Sequence, residues 1–442
     1  MSAARHFTDL RPLRSSGPFR ALWLGTSLAG VGGQIANVAA LAQVWELTRS
    51  PIWTGALGLA SGVAMLVFGP VGGHLADRYD RRTIVRLSTA AQALAALALS
   101  AQAAAGSRAV LLLLVLVAAQ SAAGAVGAPA RRTLPARLLP PGEVAAGLAL
   151  QNLSFQAALL AGPAVGGLIA AWSLPAAYAA ETVAVGVAFA VTFALPALPP
   201  VASAPGSGGR PRSERGGWTY VFRRPTLWGS FATDLAATLL AMPIALFPLV
   251  NQERFGGDPR TLGLFLSAIA VGGIAAGAFS GTVTRVRRAG LLQLGAATVW
   301  GLALAGFGLA GPLWLSLGCL AVAGAADTVS VVTRGALVQL ETPDAFRGRV
   351  SAIDHVIGVA GPQLGSFRGG LLGAAVGASA ALAIGGLAAA ATVLVVGAVN
   401  RPLRRYVAPV EAVEPEVAPE LAPARDTGAS AEGHVNAPKT AG

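Results

Sequence analysis

Charged side chains and cysteine are scarce in this chain. Of its 442 residues only 12% are charged, and Lys439 is the single lysine. Cys319 is the single cysteine, which excludes an intramolecular disulfide and a cysteine-based metal site. The sequence also lacks a G-x-x-x-x-G-K-[ST] nucleotide loop, an H-E-x-x-H zinc motif and any paired Cys/His spacing. We therefore expect no metal, no cofactor, no enzyme and no ATP-driven pump in this chain.

Apolar residues, in contrast, are abundant. They make up 54% of the sequence, and the mean hydropathy is +0.63. A soluble domain of this size cannot bury that much apolar surface. The composition therefore predicts an all-α polytopic membrane protein.

Twelve apolar runs, each close to the ~20 residues of a membrane-spanning helix, divide into two groups of six. A segment rich in Pro, Gly, Ser and Arg separates the groups, which is typical of a flexible linker. The end of the chain is rich in Pro, Ala and Glu, which favours disorder. The runs cover 20–46, 52–74, 83–105, 109–130, 145–171, 174–196, 226–250, 260–283, 290–309, 312–335, 349–371 and 375–399. The predicted domains are an N-terminal segment 1–19, a six-helix bundle 20–196, a linker 197–225, a second six-helix bundle 226–400 and a disordered tail 401–442.

The positions of the arginines predict the orientation of these helices. If the loops alternate from a cytoplasmic N-terminus, most arginines lie on the cytoplasmic side. Only five lie on the opposite side: Arg49, Arg108, Arg254, Arg260 and Arg368. This bias follows the positive-inside rule and predicts that both termini are cytoplasmic. The net charge of +12 is then explained by membrane orientation, and we expect no nucleic-acid partner.

A G-x-x-x-D-R-x-x-R-R motif stands between the second and third runs. It comprises Gly73, Asp77, Arg78, Arg81 and Arg82. The positive-inside bias explains the arginines but neither the acid nor the glycine one helical turn before it. In this motif the chain resembles the major facilitator superfamily, which carries it in the loop between its second and third membrane helices.

The resemblance implies the fold of that superfamily, with two pseudo-symmetric six-helix bundles. It also implies a latch, in which Asp77 accepts hydrogen bonds from the start of the eleventh helix. Gly73 would allow close helix packing, and Arg78, Arg81 and Arg82 would pair across the cytoplasmic face. The latch would close the cytoplasmic side and break when the transporter opens inward.

A G-P-x-x-G-G sequence lies in the fifth run, at Gly162, Pro163, Gly166 and Gly167. In any bundle it favours a kink and close packing. It also resembles the core of a motif that the superfamily's proton-exchanging exporters carry, although Ala158 stands where an upstream glycine is expected. This resemblance implies an exporter.

Three further stretches resemble the branch of the superfamily that contains the enterobactin exporter and macrolide-type drug exporters. They are 129–135, 233–248 and 339–351. The branch implies outward transport of a siderophore or an amphipathic drug, driven by protons. The helix-four arginine typical of proton antiporters is missing, and Ala118 and Gln120 occupy that region.

Ionisable groups inside the apolar runs are candidates for proton coupling, because a charge in a membrane is costly. These candidates are Asp234, Asp327, Asp354 and His355. Burial raises the pKa of a carboxyl, whereas a nearby arginine lowers it. Asp234 has no arginine in its own helical turn and is our first choice. Structural roles stay open, including an ion pair between Asp327 and Arg334.

The two groups of helices repeat each other, with Arg131 ending the fourth run and Arg334 ending the tenth. We treat both arginines as ion-pair candidates. Such a repeat places the substrate path between the halves, near the midplane. Six polar side chains are candidates for substrate contact, with interhelical hydrogen bonding as the alternative. They are Gln34, Asn37, Gln151, Asn152, Gln156 and Gln363.

The sequence thus predicts a proton-linked exporter of a siderophore or amphipathic drug, working by alternating access. An uncoupled facilitator or importer and a transporter-like ligand sensor stay as alternatives. The expected partners are a small-molecule substrate, protons and the lipid bilayer. We expect a monomer in the cytoplasmic (inner) membrane of a bacterium.

Overall fold

A computed structural model describes residues 9–199, 215–279 and 286–407, and the regular structure in these ranges is helical. We number the long helices α1 to α12. They are Gly17–Thr48 (α1), Pro51–Arg78 (α2), Arg81–Ala104 (α3), Val110–Leu138 (α4), Val144–Trp172 (α5), Leu174–Val191 (α6), Pro225–Ala241 (α7), Pro259–Ala278 (α8), Ala289–Leu309 (α9), Leu313–Glu341 (α10), Asp344–Val376 (α11) and Ala378–Val399 (α12). Shorter helices span Arg11–Ser15, Arg215–Phe222, Phe247–Phe255 and Arg401–Arg404.

Ten helical stretches in the described ranges are long and apolar enough to cross a membrane. They correspond to ten of the twelve predicted runs. The other two runs form α1 and α11, which have 32 and 33 residues but are more polar. Asn37 and Gln43 interrupt the apolar sequence of α1, and Asp354 and Gln363 interrupt that of α11.

Several helices begin where the sequence places a capping side chain. Ser16, Asp80, Ser173 and Asp258 each accept a hydrogen bond from a backbone N–H in the first turn of α1, α3, α6 and α8. Such caps satisfy N–H groups that have no partner within the helix. Asp80 also accepts a hydrogen bond from Leu198 N–H at 3.1 Å, which ties the start of α3 to the chain after α6.

The predicted seventh run, 226–250, is not one helix. α7 ends at Ala241, and a new helix starts at Phe247. Pro243 explains the break, because proline lacks an N–H and forces the preceding residue out of helical geometry. Met242 accordingly has φ −66° and ψ 120°. The hydroxyl of Thr54 in α2 donates to the carbonyl of Ala245 at 2.6 Å, so α2 satisfies an acceptor in the break.

The helices before and after the 197–225 segment meet at one end of the bundle. Arg49, before α2, donates to Gln252 at 2.5 Å, and Ser267 of α8 donates to the carbonyl of Leu160 in α5 at 2.8 Å. A Cβ added at Gly55 of α2 would lie 2.9 Å from Cα of Phe367 in α11. Small residues therefore bring the two halves into backbone contact at this end.

Toward the opposite end, the side chains of α2 that precede the G-x-x-x-D-R motif are exposed. Val67, Phe68 and Val71 are 55%, 41% and 44% exposed, and Asp77 is also exposed. The contacts between halves that we describe therefore lie at the end that carries the α1–α2 turn. The motif lies at the other end.

Two segments differ from their predicted state. Arg215–Phe222, within the predicted flexible linker, is a helix whose Tyr220 hydroxyl donates to the carbonyl of Glu341 at 3.0 Å. Arg401–Arg404, at the start of the predicted disordered tail, is a helical turn with Leu403 fully buried. Asn400 holds this turn by donating to the carbonyl of Pro225 at 2.6 Å. Residues 1–8, 200–214, 280–285 and 408–442 lie outside the described ranges.

Candidate functional site

A central cavity of about 440 Å³ lies between the two halves. Side chains from both halves line it, among them Asn37, Gln120 and Glu181 from the first half and Gln363 and Ser366 from the second. Its wall also includes the broken segment after α7. A cavity of this size that is mostly apolar, with a few converging polar groups, is typical of a small-molecule site.

Glu181 of α6 is the acid of this cavity. Its residue surface is only 1% exposed, and its Oε1 accepts a hydrogen bond from the Gln120 amide of α4. Its Oε2 has no hydrogen-bond partner in the described ranges. A buried carboxylate oxygen without a donor is costly in free energy, so this atom is a candidate contact for a ligand or a proton.

A second set of polar groups braces the same half next to Glu181. The amides of Gln43 and Gln102 donate to each other at 3.2 and 3.0 Å, and the Tyr178 hydroxyl donates to Gln43 at 2.8 Å. All three residues are buried. Their hydrogen bonds are satisfied among themselves, which makes them supports for α1, α3 and α6 rather than ligand contacts.

The second half contains a buried ion-pair cluster. The guanidinium of Arg334 in α10 pairs with Asp234 of α7, and its Nε lies 2.9 Å from Oδ1 of Asp354 in α11. The side chains of Arg334 and Asp234 are 7% and 6% exposed, and that of Asp354 is 28% exposed. One arginine therefore joins three helices. The ion pair between Asp327 and Arg334, which the sequence left open, is not among the ion pairs of the described residues.

Asp327 lies two helical turns before Arg334 in α10. It interacts electrostatically with both Asp234 and Arg334, although no ion pair to it is found in the described ranges. The cluster therefore has three acids around one cation. Two of the acids pair with the cation directly.

Arg131 occupies the repeat-equivalent position in the first half but has different surroundings. It donates to the carbonyl of Gly124 at 2.7 Å and lines a second cavity of about 260 Å³ with Thr89, Gln92 and Thr192. No acid pairs with it among the described residues. The equivalent arginines of the two halves therefore have different partners.

The G-x-x-x-D-R motif makes no latch in this conformation. Asp77 and Arg78 are exposed, and Asp77 has no hydrogen bond or ion pair to the described residues. Gly73 has open space where a Cβ would be, so the predicted close packing is not made there. The close helix contact lies one residue earlier, at Gly72. An added Cβ there would clash with the backbone of Val126 in α4. Arg81 and Arg82 are half-buried.

The G-P-x-x-G-G residues lie at helix contacts on two sides of α5. A Cβ at Gly166 would lie 2.8 Å from Cα of Ile35 in α1. A Cβ at Gly167 would lie 2.7 Å from the carbonyl oxygen of Pro259, at the start of α8. Gly162 packs on Gln34, and Pro163 packs on Gly263 of α8. This motif therefore joins α5 both to its own half and to the other half.

The remaining polar candidates are distributed unevenly. Asn37 and Gln363 line the central cavity, and Gln363 also packs on Gly58 and Gly62 of α2. Four candidates are not among the residues that line it: Gln34, Gln151, Asn152 and Gln156. His355, beside Asp354, is exposed.

The sequence analysis did not select Gln120 or Gln43 as residues with polar contacts inside the bundle. The feature that could have identified them is an amide side chain within an apolar run.

These helices and a mostly apolar cavity between two halves, with a few polar groups in its wall, define a polytopic membrane protein of the transporter type. A sequence model of the Major Facilitator Superfamily matches residues 22–358. The chain belongs to this superfamily. It is therefore a multi-pass membrane transporter and not an enzyme.

Curated relatives cover most of the chain. The Enterobactin exporter EntS of Shigella boydii serotype 18 is 26% identical over 373 residues, which cover 83% of this chain and 88% of that protein. The protein of the same name from Escherichia coli is 25% identical with the same coverage.

Solved structures share the fold. The nucleoside transporter NupG matches with a TM-score of 0.67 at 13% identity, over 88% of this chain and 100% of the other. A bacterial homologue of the iron transporter ferroportin, in an inward-facing state, matches with a TM-score of 0.64 at 17% identity, over 88% and 98%. At these identities the likeness concerns the fold alone.

Proposed function

We propose that this chain is a proton-coupled exporter of a siderophore or an amphipathic drug or secondary metabolite. It would act by alternating access in the cytoplasmic membrane of a bacterium. The relatives that cover most of its length are named exporters, which supports the outward direction. The cavity between the halves supports a small-molecule cargo.

The buried cluster around Arg334 is the observation that carries the proton coupling. Asp234, Asp354 and Asp327 bring three negative charges to one positive charge when all are ionised. An uncompensated charge inside a membrane bundle is costly, and binding a proton relieves it. The cluster can therefore take up a proton when one acid leaves Arg334 and release it when the pair re-forms.

The ion pairs also give this proton a way to act on conformation. Asp234, Arg334 and Asp354 belong to three different helices, α7, α10 and α11. Protonation of Asp234 would remove its attraction to Arg334 and loosen α7 from α10. Because α7 ends at the break that lines the central cavity, the change would reach the substrate path.

We further infer twelve membrane-spanning helices, with both termini and the G-x-x-x-D-R motif on the cytoplasmic side, and a monomer. The basis is the arginine bias together with the helix count. With that orientation, the contacts between halves close the outer end, and the conformation described here is open to the cytoplasm. The exposure of Asp77, which has no hydrogen bond or ion pair to the described residues, agrees with a conformation that is open to the cytoplasm.

Transport in everted membrane vesicles tests the proposal. An inside-acid pH gradient should drive accumulation of an exported compound, and collapse of the gradient should abolish it. Asp234→Asn should abolish gradient-driven accumulation, whereas Glu253→Gln, which removes an exposed acid, should not. Equal rates with either gradient direction would instead identify an uncoupled facilitator, and accumulation only with the reversed gradient would identify an importer. Binding without any transport would identify a ligand sensor.

A further inference from the structure

The charge of the central cavity defines the class of substrate that it accepts. Of the described residues that line it, Glu181 is the only carboxylate, and no arginine, lysine or histidine is among them. The other polar lining groups are amides, hydroxyls and the Tyr178 phenol. The described part of the wall therefore offers one carboxyl group and no cationic side chain.

The surroundings of Glu181 favour its use in binding. Gln120 donates to Oε1 and holds the carboxylate, while Oε2 is left without a donor. The Tyr178 hydroxyl is one helical turn away but donates to Gln43 instead. No ion pair to Glu181 occurs in the described ranges, so no neighbouring cation competes with a ligand for this carboxyl group.

The apolar part of the wall is suited to an amphipathic molecule. The chain has three methionines, and both internal ones, Met65 of α2 and Met242 of the α7 break, line this cavity. Methionine is flexible and polarisable, and it is over-represented at surfaces that bind ligands of varied shape. Leu57, Leu99 and Ile244 provide further apolar surface.

We propose that Glu181 is the specificity-determining residue of the cavity, and that it selects a cationic amphipathic substrate over an anionic one. This inference rests on the proposed export function and narrows its cargo. The cationic group would contact Oε2 of Glu181, and the apolar body would pack on the methionine-containing wall. A polyanionic chelator would be repelled by the same carboxylate.

A pair of probes with one shape and opposite charge tests this inference. Tetraphenylphosphonium and tetraphenylborate are such a pair, and their binding to the purified full chain is measured by equilibrium dialysis without a pH gradient. A parallel dialysis with protein-free micelles measures how much of each probe enters the detergent, and this amount is subtracted. The wild type should prefer the cation, and Glu181→Gln should shift the ratio of the two Kd values toward the anion by about tenfold, or about 1.4 kcal/mol.

Two variants act as controls. Glu253→Gln, the same change at an exposed acid, should leave the ratio unchanged, and Glu181→Asp should keep the preference for the cation. An unchanged ratio in folded Glu181→Gln would overturn the inference. A wild-type preference for the anion would overturn it too and would point to Arg131 in the neighbouring cavity. If Glu181→Gln does not fold, the ratio of the two Kd values in the wild type alone tests the inference. A preference for the cation supports it, and a preference for the anion rejects it.

The two proposals fail separately. Binding of the probes needs neither a gradient nor the Arg334 cluster, so loss of proton coupling would leave the charge preference intact. Conversely, gradient-driven export together with an anion preference would retain the proposed function and reject the role of Glu181.

Discussion

At the scale of single residues, Arg334 is the cation that pairs with two buried or half-buried acids of the second half. It pairs with Asp234 and Asp354 inside the bundle, and both acids would lose their paired cation without it. Among the described residues, its repeat-equivalent Arg131 donates to the backbone carbonyl of Gly124 and pairs with no acid. The pair of arginines therefore offers a controlled comparison.

Arg334→Gln should lower the free energy of unfolding by about 3–5 kcal/mol, because removal of one partner strands buried charges. Denaturant titration of the purified protein in mixed micelles measures this. Arg131→Gln should cost less, since it strands no acid. The double variant Arg334→Gln with Asp234→Asn should recover part of the loss. Equal losses at the two arginines would show that the ion pairs contribute nothing specific.

Asp80 gives a second prediction at this scale. Its side chain caps α3 through Arg82 N–H at 2.7 Å and holds Leu198 at 3.1 Å. Asp80→Ala should therefore lower the free energy of unfolding by about 1 kcal/mol, as expected for a lost helix cap. Asp77→Ala, three residues earlier and without such contacts, is the matched control and should leave stability unchanged. A reversed order would show that Asp77 has a stabilising partner in solution.

At the residue level, the sequence indicates which types of side chain are unusual in a membrane but not which partners they have. Acids inside apolar runs are candidates because a charge in a membrane is costly, and this rule selects Asp234, Asp327 and Asp354. The structure brings all three near Arg334. The sequence could not give the pairing, because the partners belong to different helices. Glu181 also lies in an apolar run, but its hydrogen bond with Gln120 depends on how α4 and α6 pack.

At the scale of helices, small residues determine how closely neighbours approach. Gly166 illustrates this, because even a single Cβ would lie 2.8 Å from Cα of Ile35. Gly186 of α6, in contrast, has nothing within 4 Å of an added Cβ. Substitution of glycine by alanine should therefore change the free energy of unfolding in opposite directions at the two sites.

Gly166→Ala should lower the free energy of unfolding by about 1–3 kcal/mol, because the added methyl forces α1 and α5 apart. Gly186→Ala should raise it by about 0.5–1 kcal/mol, because alanine loses less backbone entropy in a helix. Gly166→Leu should be worse than Gly166→Ala. Titrations of the three variants under one condition provide the comparison. A neutral Gly166→Ala would mean that the α1–α5 contact is loose.

Helix positions were well predicted, since the period and length of apolar runs depend on local sequence. Each of the twelve runs overlaps one long helix, although the seventh run extends past the end of α7 and the fourth stops before the end of α4. The break after Ala241 was missed, although Pro243 and Pro248 stand inside that run and signal it. The helices Arg215–Phe222 and Arg401–Arg404 were missed because contacts with the bundle stabilise segments whose composition favours a loop.

At the scale of the whole molecule, the halves are joined at the end opposite the G-x-x-x-D-R motif. The proposed latch therefore belongs to a second conformation, in which Asp77 would reach the start of α11. Asp77→Asn should slow transport by about tenfold if the lost hydrogen bonds contribute about 1.4 kcal/mol to that state. Its free energy of unfolding should not change. An unchanged turnover in the everted-vesicle assay would remove the latch from the cycle.

The central claim is that the Arg334 cluster exchanges a proton for the substrate, so that the two move in opposite directions across the membrane. The most direct measurement is the proton exchange of the purified chain in weakly buffered micelles, followed with a pH-sensitive dye while substrate is added. The account predicts proton release by the wild type and by Glu253→Gln, and no release by Asp234→Asn that still binds substrate. Equal release by Asp234→Asn, or no release by the wild type at saturating substrate, would contradict it.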